Sequence, residues 1–212
     1  MDAQPKTKRP RGRPALGQDV RDAAFKACGA LLAESGLEGM KARNVAKRTG
    51  LSIGSIYKMF GDIDDLIREI NLETYALLEA HHRSALDAAD LPESEVQARL
   101  MVLAKAYIEF IIANERRWMA LLSFNRAKGG GGKRYAQTEN ALYGIIETVL
   151  APAPGFADAR FRARAARALW ASVHGIVTIT LPNKAHKYPV REAIAQIDLI
   201  VGGVMRDAAR SG

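Results

Sequence analysis

Apolar residues recur every three or four positions along nearly the whole chain, the period of helices that bury one face. Phe25, Cys28, Leu31 and Leu32 predict a first helix over about 19–35, with Gly36 as its stop. Two shorter helices follow, over 42–49 and 52–59. Gly50 is suited to the left-handed conformation that ends the first, and Ser52 to capping the second. Val45, Ile53 and Ile56 are expected to close a small core beneath them, with Ala46 small where the two helices cross. Asp62 has the position of an N-cap, and Asp64 and Asp65 fall in the positive first turn of a long fourth helix over about 63–88.

The second half repeats the pattern. Leu100, Leu103, Tyr107, Phe110 and Ile111 form one stripe over 93–114, and Trp118, Leu121, Leu122 and Phe124 belong to a shorter helix over 117–127. Further helices are predicted over 135–150, 158–181 and 190–209, punctuated by Pro152, Pro154, Pro182 and Pro189. The four glycines between Lys128 and Lys133 predict a mobile connection; the spacing of a phosphate loop is absent. No strand pattern interrupts this series, so the expected fold is all-α, with about nine helices. On the last two, Leu169, Val173 and Ile176 share one face, and Ile194, Ile197, Val201 and Val204 share another. These faces are expected to pair with their copies in a second subunit as a four-helix interface, or to complete the core of their own domain.

Charge narrows the partners. A net charge of +8 and a pI near 9.7 favour a polyanion or a solvated basic surface. Half of that charge lies in residues 1–17, where Lys6, Lys8, Arg9, Arg11 and Arg13 stand against Asp2. So polar a segment is expected to stay disordered until it meets an anion. Within it, Arg11-Gly12-Arg13-Pro14 has the form of a minor-groove clamp and resembles the core of an AT-hook; a solubilising tail is the plainer alternative. The single cysteine, Cys28, sits on a core face. No run approaches the ~20 apolar residues of a membrane span, so a cytoplasmic protein with no membrane partner is expected. Paired carboxylates, a nucleophile beside a base, and a Cys/His cluster are all missing from the pattern. The expectation is therefore no enzyme, no metal and no cofactor. His81 and His82 are adjacent and point to different helix faces.

Gly36, Arg43, Val45, Ala46, Gly50, Ser52, Gly54, Ser55, Ile56, Tyr57, Phe60 and Leu66 stand at the spacing of one known motif. Over residues 20–70 the chain resembles the helix-turn-helix of TetR-family transcriptional regulators. Trp170-Ala-Ser-Val-His174-Gly175 is similar to a signature in one group of the family's C-terminal domains. The resemblance implies a DNA-binding domain over 18–66 and an effector-binding and dimerisation domain over 67–212. It places the helix over 52–59 in the major groove. Ser52 then stands at its start, Gly54 permits close approach, and Ser55 touches a base edge or phosphate. Tyr57 holds a phosphate with its ring against the core, and Lys58 reaches a phosphate or guanine. Lys41 and Arg43 would grip the backbone, and Arg11 and Arg13 would extend the footprint into an adjacent minor groove.

Two departures stand out. Lys41 replaces the family's usual Thr, and Ile63 replaces a usual Lys amid three aspartates, removing one phosphate contact. The resemblance further implies a homodimer on a palindromic operator of double-stranded DNA, acting in a bacterial-type, nucleoid-associated setting, most commonly as a repressor. A small apolar or aromatic effector would occupy a pocket in the second domain. Tyr107, Phe110, Trp118, Phe124, Tyr143, Trp170 and His174 would line it, or would be ordinary core aromatics. The rival expectation is an architectural or constitutive DNA-binding protein without an effector.

Overall fold

The computed structural model describes residues 17–129, 132–180 and 189–211. Among them run nine α-helices and no strand: α1 (Gln18–Gly39), α2 (Ala42–Thr49), α3 (Ile53–Phe60), α4 (Ile63–Ala89), α5 (Val96–Ala113), α6 (Glu115–Lys128), α7 (Gly132–Leu150), α8 (Ala159–Thr180) and α9 (Val190–Ser211). A single 3-10 turn, Pro154–Phe156, separates α7 from α8. Arg11 and Arg13, with the rest of the basic arm up to residue 16, lie outside the described residues.

The punctuation follows local chemistry. Gly36 breaks the regular turns of α1 at φ +61°, a backbone that side chains with a Cβ rarely adopt. Gly50 ends α2 in the left-handed region, and the Ser52 hydroxyl accepts from the Ser55 amide at 3.2 Å to start α3. Asp62 and Asp65 form a reciprocal capping box at the head of α4. The glycine-rich connection is shorter than expected, because Lys128 is still helical in α6 and Gly132 and Lys133 already belong to α7; residues 130–131 lie outside the described residues. The loop expected around Pro182 also falls mostly outside them.

Two hydrophobic cores organise these helices. The first joins Cys28 and Leu32 of α1, Val45 of α2, Ile56 and Phe60 of α3, and Leu66 and Ile70 of α4; Ala120 and Phe124 of α6 close it. Ile53 departs from expectation, being 38% exposed, because Leu51 in the turn packs against the core at that end of α3. Burial pushes the Cys28 thiol up to about 11, so it is an inert core group.

The second core takes Tyr75 and Leu78 from the far half of α4 and packs them against α5, α6, α7, α8 and α9. Leu169, Ile197 and Val201 belong to this core and are buried in their own chain; Val173, Ile176, Ile194 and Val204 pack partly buried against it. The large apolar residues that α8 and α9 expose most are Ile179 and Leu199, 75% and 71% exposed. No helix among the described residues is long and apolar enough to cross a membrane.

Candidate nucleic-acid interface and cavity

α3 divides cleanly between core and solvent. Ile56 and Phe60 point inward, while Ile53, Gly54, Tyr57 and Lys58 are exposed and Ser55 is half-buried. Tyr57 is 45% exposed at the surface of α3. With Ile53 one turn earlier, it forms an amphipathic face suited to thymine methyls and phosphate oxygens. A Cβ built on Gly54 would meet nothing within 4 Å, so packing inside this chain does not require glycine there. Ser52 and Ser55 are linked through their hydroxyls at 2.8 Å as well as through the cap. Ser52 therefore starts the helix and orients Ser55.

Lys41 and Arg43 are exposed at the start of α2, and Lys41 provides no side-chain cap. Asn44 ties the preceding turn by donating to the Gly39 carbonyl at 3.0 Å. The acidic turn after α3 is neutralised from within. Asp62 is occupied in the cap, Asp64 faces Lys128 Nζ at 3.1 Å, and Asp65 accepts from Arg68 at 2.7 Å. Ile63, in place of a lysine, packs partly buried on the first core.

The second core holds two partly open pockets, or lobes, and Trp170 lines both. The first, about 40 Å³, is walled by aliphatic side chains of α5, α7, α8 and α9 together with Tyr107 and His82. The second, about 150 Å³, is lined by Tyr75, Trp118, Asn125, Glu139, Tyr143 and His174, among others. At that size the first has room for a few waters, and only the second approaches the size of a small ligand group.

Between the lobes Tyr107 Oη lies 2.6 Å from His174 Nδ1, and the His174 ring stacks on Trp170 at 8°. Burial raises the Tyr107 hydroxyl well above its ordinary pKa and lowers that of His174. Both groups are therefore neutral and share one hydrogen bond, whose direction follows the imidazole tautomer. His82 is pushed down to about 4 by burial, with a smaller contribution from its neighbour His81, and its Nε2 has no hydrogen-bond partner.

Of the aromatic residues singled out in the sequence, Tyr107, Trp118, Tyr143, Trp170 and His174 meet around this cavity. Phe110 packs edge-on to Trp118 and lines neither lobe. Phe124 lies in the other core, with the Arg68 guanidinium 5.6 Å from its ring centre. Sequence reasoning missed Tyr75, His82 and Glu139. Tyr75, Leu78 and His82 do share a helical stripe on α4, which was the available signal; Glu139 stands one turn before Tyr143 on α7. Among the described residues, no group of three or more His, Cys, Asp or Glu side chains is placed to hold a metal ion.

Residues 25–70 match the family profile described as bacterial regulatory proteins, tetR family, and residues 100–199 match the tetracyclin repressor-like C-terminal domain. No protein of curated function matches the chain. Its fold is similar to that of a transcriptional regulator from Rhodococcus sp. Rha1, at 21% identity and TM-score 0.67, over 88% of this chain and 96% of that one. It is also similar to the TetR-family regulator PfmR from Thermus thermophilus, at 19% identity and TM-score 0.60, over 84% and 96%. The fatty acid degradation regulator FadR from Bacillus halodurans matches at 15% identity and TM-score 0.62, over 92% and 96%. Proteins of this family are non-enzymatic transcription factors. With both of its parts matched in order and more than half of its length covered, the chain belongs to the TetR family of transcriptional regulators.

Proposed function

We propose that this protein is a ligand-responsive repressor that binds a palindromic operator as a homodimer in the bacterial cytoplasm. Residues 18–66 read the DNA, and residues 67–212 bind the effector and pair the subunits. The observation that carries the DNA half is the outer face of α3: Gly54, Tyr57 and Lys58 are exposed, and the fold itself makes no use of them. Lys41 and Arg43 add backbone contacts, and Ser52 and Ser55 set the start of the reading helix. Arg11 and Arg13 reach the neighbouring minor groove, which offsets the lack of a phosphate-binding lysine at Ile63.

The effector half rests on the cavity at Tyr107, Trp118, Tyr143, Trp170 and His174, whose apolar and aromatic walls suit an apolar or aromatic ligand. TetR-family regulators bind DNA and usually act as dimers with small-molecule effectors. The exposed Ile179 and Leu199 on α8 and α9 supply the subunit contact that Leu169, Ile197 and Val201, buried in their own chain, cannot make.

Selection of bound duplexes from a random pool tests the DNA half. The expected outcome is an inverted repeat with half-site centres about one helical turn apart, roughly 35 Å, preferred about a thousandfold over unrelated duplexes. Similar affinity for all duplexes would instead show an architectural protein. Removal of residues 1–14 is expected to weaken binding and flatten its salt dependence; an unchanged slope removes the arm from the site.

A further inference from the structure

We propose that the lobe around Glu139 binds a lipophilic organic cation, a protonated amine or quaternary ammonium carrying an apolar body. This deepens the assignment of the cavity as an effector site and rests on it. Glu139 is the one acidic side chain lining this lobe among the described residues, and no lysine or arginine lines it. His174 brings the one titratable nitrogen among the residues lining it, and burial lowers its pKa, which favours the neutral ring. Four aromatic residues, Tyr75, Trp118, Tyr143 and Trp170, complete the walls.

The rings meet edge to face, Tyr75 with Trp118 at 87° and Tyr143 with Trp170 at 79°, so they enclose a box and do not form a flat stack. Ring faces attract cations, and this cluster already does so: the Arg167 guanidinium sits 5.4 Å from the centre of Tyr143, although Arg167 does not line the lobe.

Ligand polarity follows from what happens to the carboxylate. Glu139 is half-buried and accepts a hydrogen bond from the Tyr75 hydroxyl at 3.2 Å. A ligand filling the lobe displaces the water that solvates that charge. A neutral or anionic ligand leaves the carboxylate poorly compensated in an aromatic surround, whereas a cation replaces the lost hydration with direct charge pairing. The net charge of +8 favours anionic ligands at long range; the local carboxylate reverses that preference inside the lobe. Leu122 and Leu142 also line this lobe, so a ligand whose charged end lies at Glu139 meets apolar walls with its body.

The chain's two tryptophans, Trp118 and Trp170, both line the lobe, which makes intrinsic fluorescence a direct readout. Benzyltrimethylammonium is titrated against the full-length protein beside its uncharged carbon analogue neopentylbenzene and the anion phenylacetate. The ammonium is expected to quench saturably and to bind about tenfold or more tightly than neopentylbenzene, with phenylacetate weakest. In Glu139→Gln the ammonium should fall to the affinity of neopentylbenzene while neopentylbenzene binding holds, which shows the cavity intact. If Glu139→Gln loses neopentylbenzene as well, Tyr143→Leu decides: the ammonium preference must shrink severalfold, and an unchanged ratio overturns the proposal.

Equal affinity for the charged and uncharged probes, a preference for phenylacetate, or full ammonium affinity in Glu139→Gln also overturns it. Operator binding measured on the same preparations separates the two levels. Specific operator binding with no response to any probe defeats the cation site alone. Ammonium binding as expected, with operator affinity unmoved at saturation, keeps the site and defeats its role as an effector site.

Discussion

His82 gives a sharp quantitative test of the cavity, because its environment costs it the charged form. Its ordinary pKa of 6.5 is lowered to about 4, chiefly by burial and secondarily by the neighbouring His81. The unfolded chain takes up this proton near pH 6.5, whereas the folded chain resists it until about pH 4. The stability linked to His82 is therefore intact above pH 6.5, declines as pH falls from 6.5 towards 4, and levels off below. Between pH 7.5 and 5.0 this linkage amounts to about 2 kcal/mol.

The perturbation is His82→Leu, which removes the titration and keeps an apolar group of similar bulk facing the aliphatic lobe. Urea unfolding at both pH values, at one fixed protein concentration, gives the comparison. Wild type should lose about 2 kcal/mol more than the variant on acidification. His174 shifts in the same direction and the carboxylates titrate too, but both are present in both proteins and cancel in the difference. Parallel losses, agreeing within about 0.5 kcal/mol, would refute the placement of His82 as a buried, unpartnered group.

Three further substitutions probe the head and the subunit contact. Phe124→Ala empties the roof of the first core and is expected to destabilise it by about 3–5 kcal/mol. Thermal melting should then separate into an early loss of operator binding and a later loss of the tryptophan signal from the second core; one cooperative transition at the wild-type temperature would count against the two-core account. Leu199→Glu, and independently Ile179→Glu, should convert the dimer to monomers by light scattering and weaken operator binding together. A dimeric variant with normal affinity would move the interface elsewhere.

What the sequence made legible was local. Gly36, Gly50, Ser52 and Asp62 each act on backbone within a few residues of themselves, so their residue types announce the breaks and caps that the structure shows. Ile53 reads as a core residue because it shares a stripe with Ile56 and Phe60, and periodicity cannot show that Leu51 already occupies the core at that end. On α8 and α9 the same limit applies: spacing marks a residue as apolar-facing but does not divide it between its own core and a partner. Leu169 and Ile197 went inward, and Ile179 and Leu199 outward. The cavity was half legible. Aromatic residues named its walls, but Tyr75 and Glu139 meet across 64 positions of sequence through the packing of α4 on α7.

Besides α4, which places Leu66 and Ile70 in the first core and Tyr75 and Leu78 in the second, α6 joins the cavity to the DNA-reading head. Trp118 and Leu121 belong to the second core, while Ala120 and Phe124 belong to the first, so one short helix is built into both. It is also fastened at several points. Arg117 donates to Thr74 Oγ1 at 2.7 Å, to the Ile70 carbonyl and to the Glu73 carboxylate; Arg116 donates to the Glu34 carbonyl near the end of α1. At its far end Lys128 pairs with Asp64, in the first turn of α4. A ligand that displaces Trp118 thus acts on a helix that cannot move without disturbing α1, α4 or the roof of the first core. The same connection constrains the energetics in reverse. If filling the cavity weakens operator binding by some factor, operator binding must weaken filling of the cavity by that same factor. Ligand affinity measured with and without operator therefore reads the total coupling between the two sites, and a substitution at Arg117 that abolishes it in one direction must abolish it in the other.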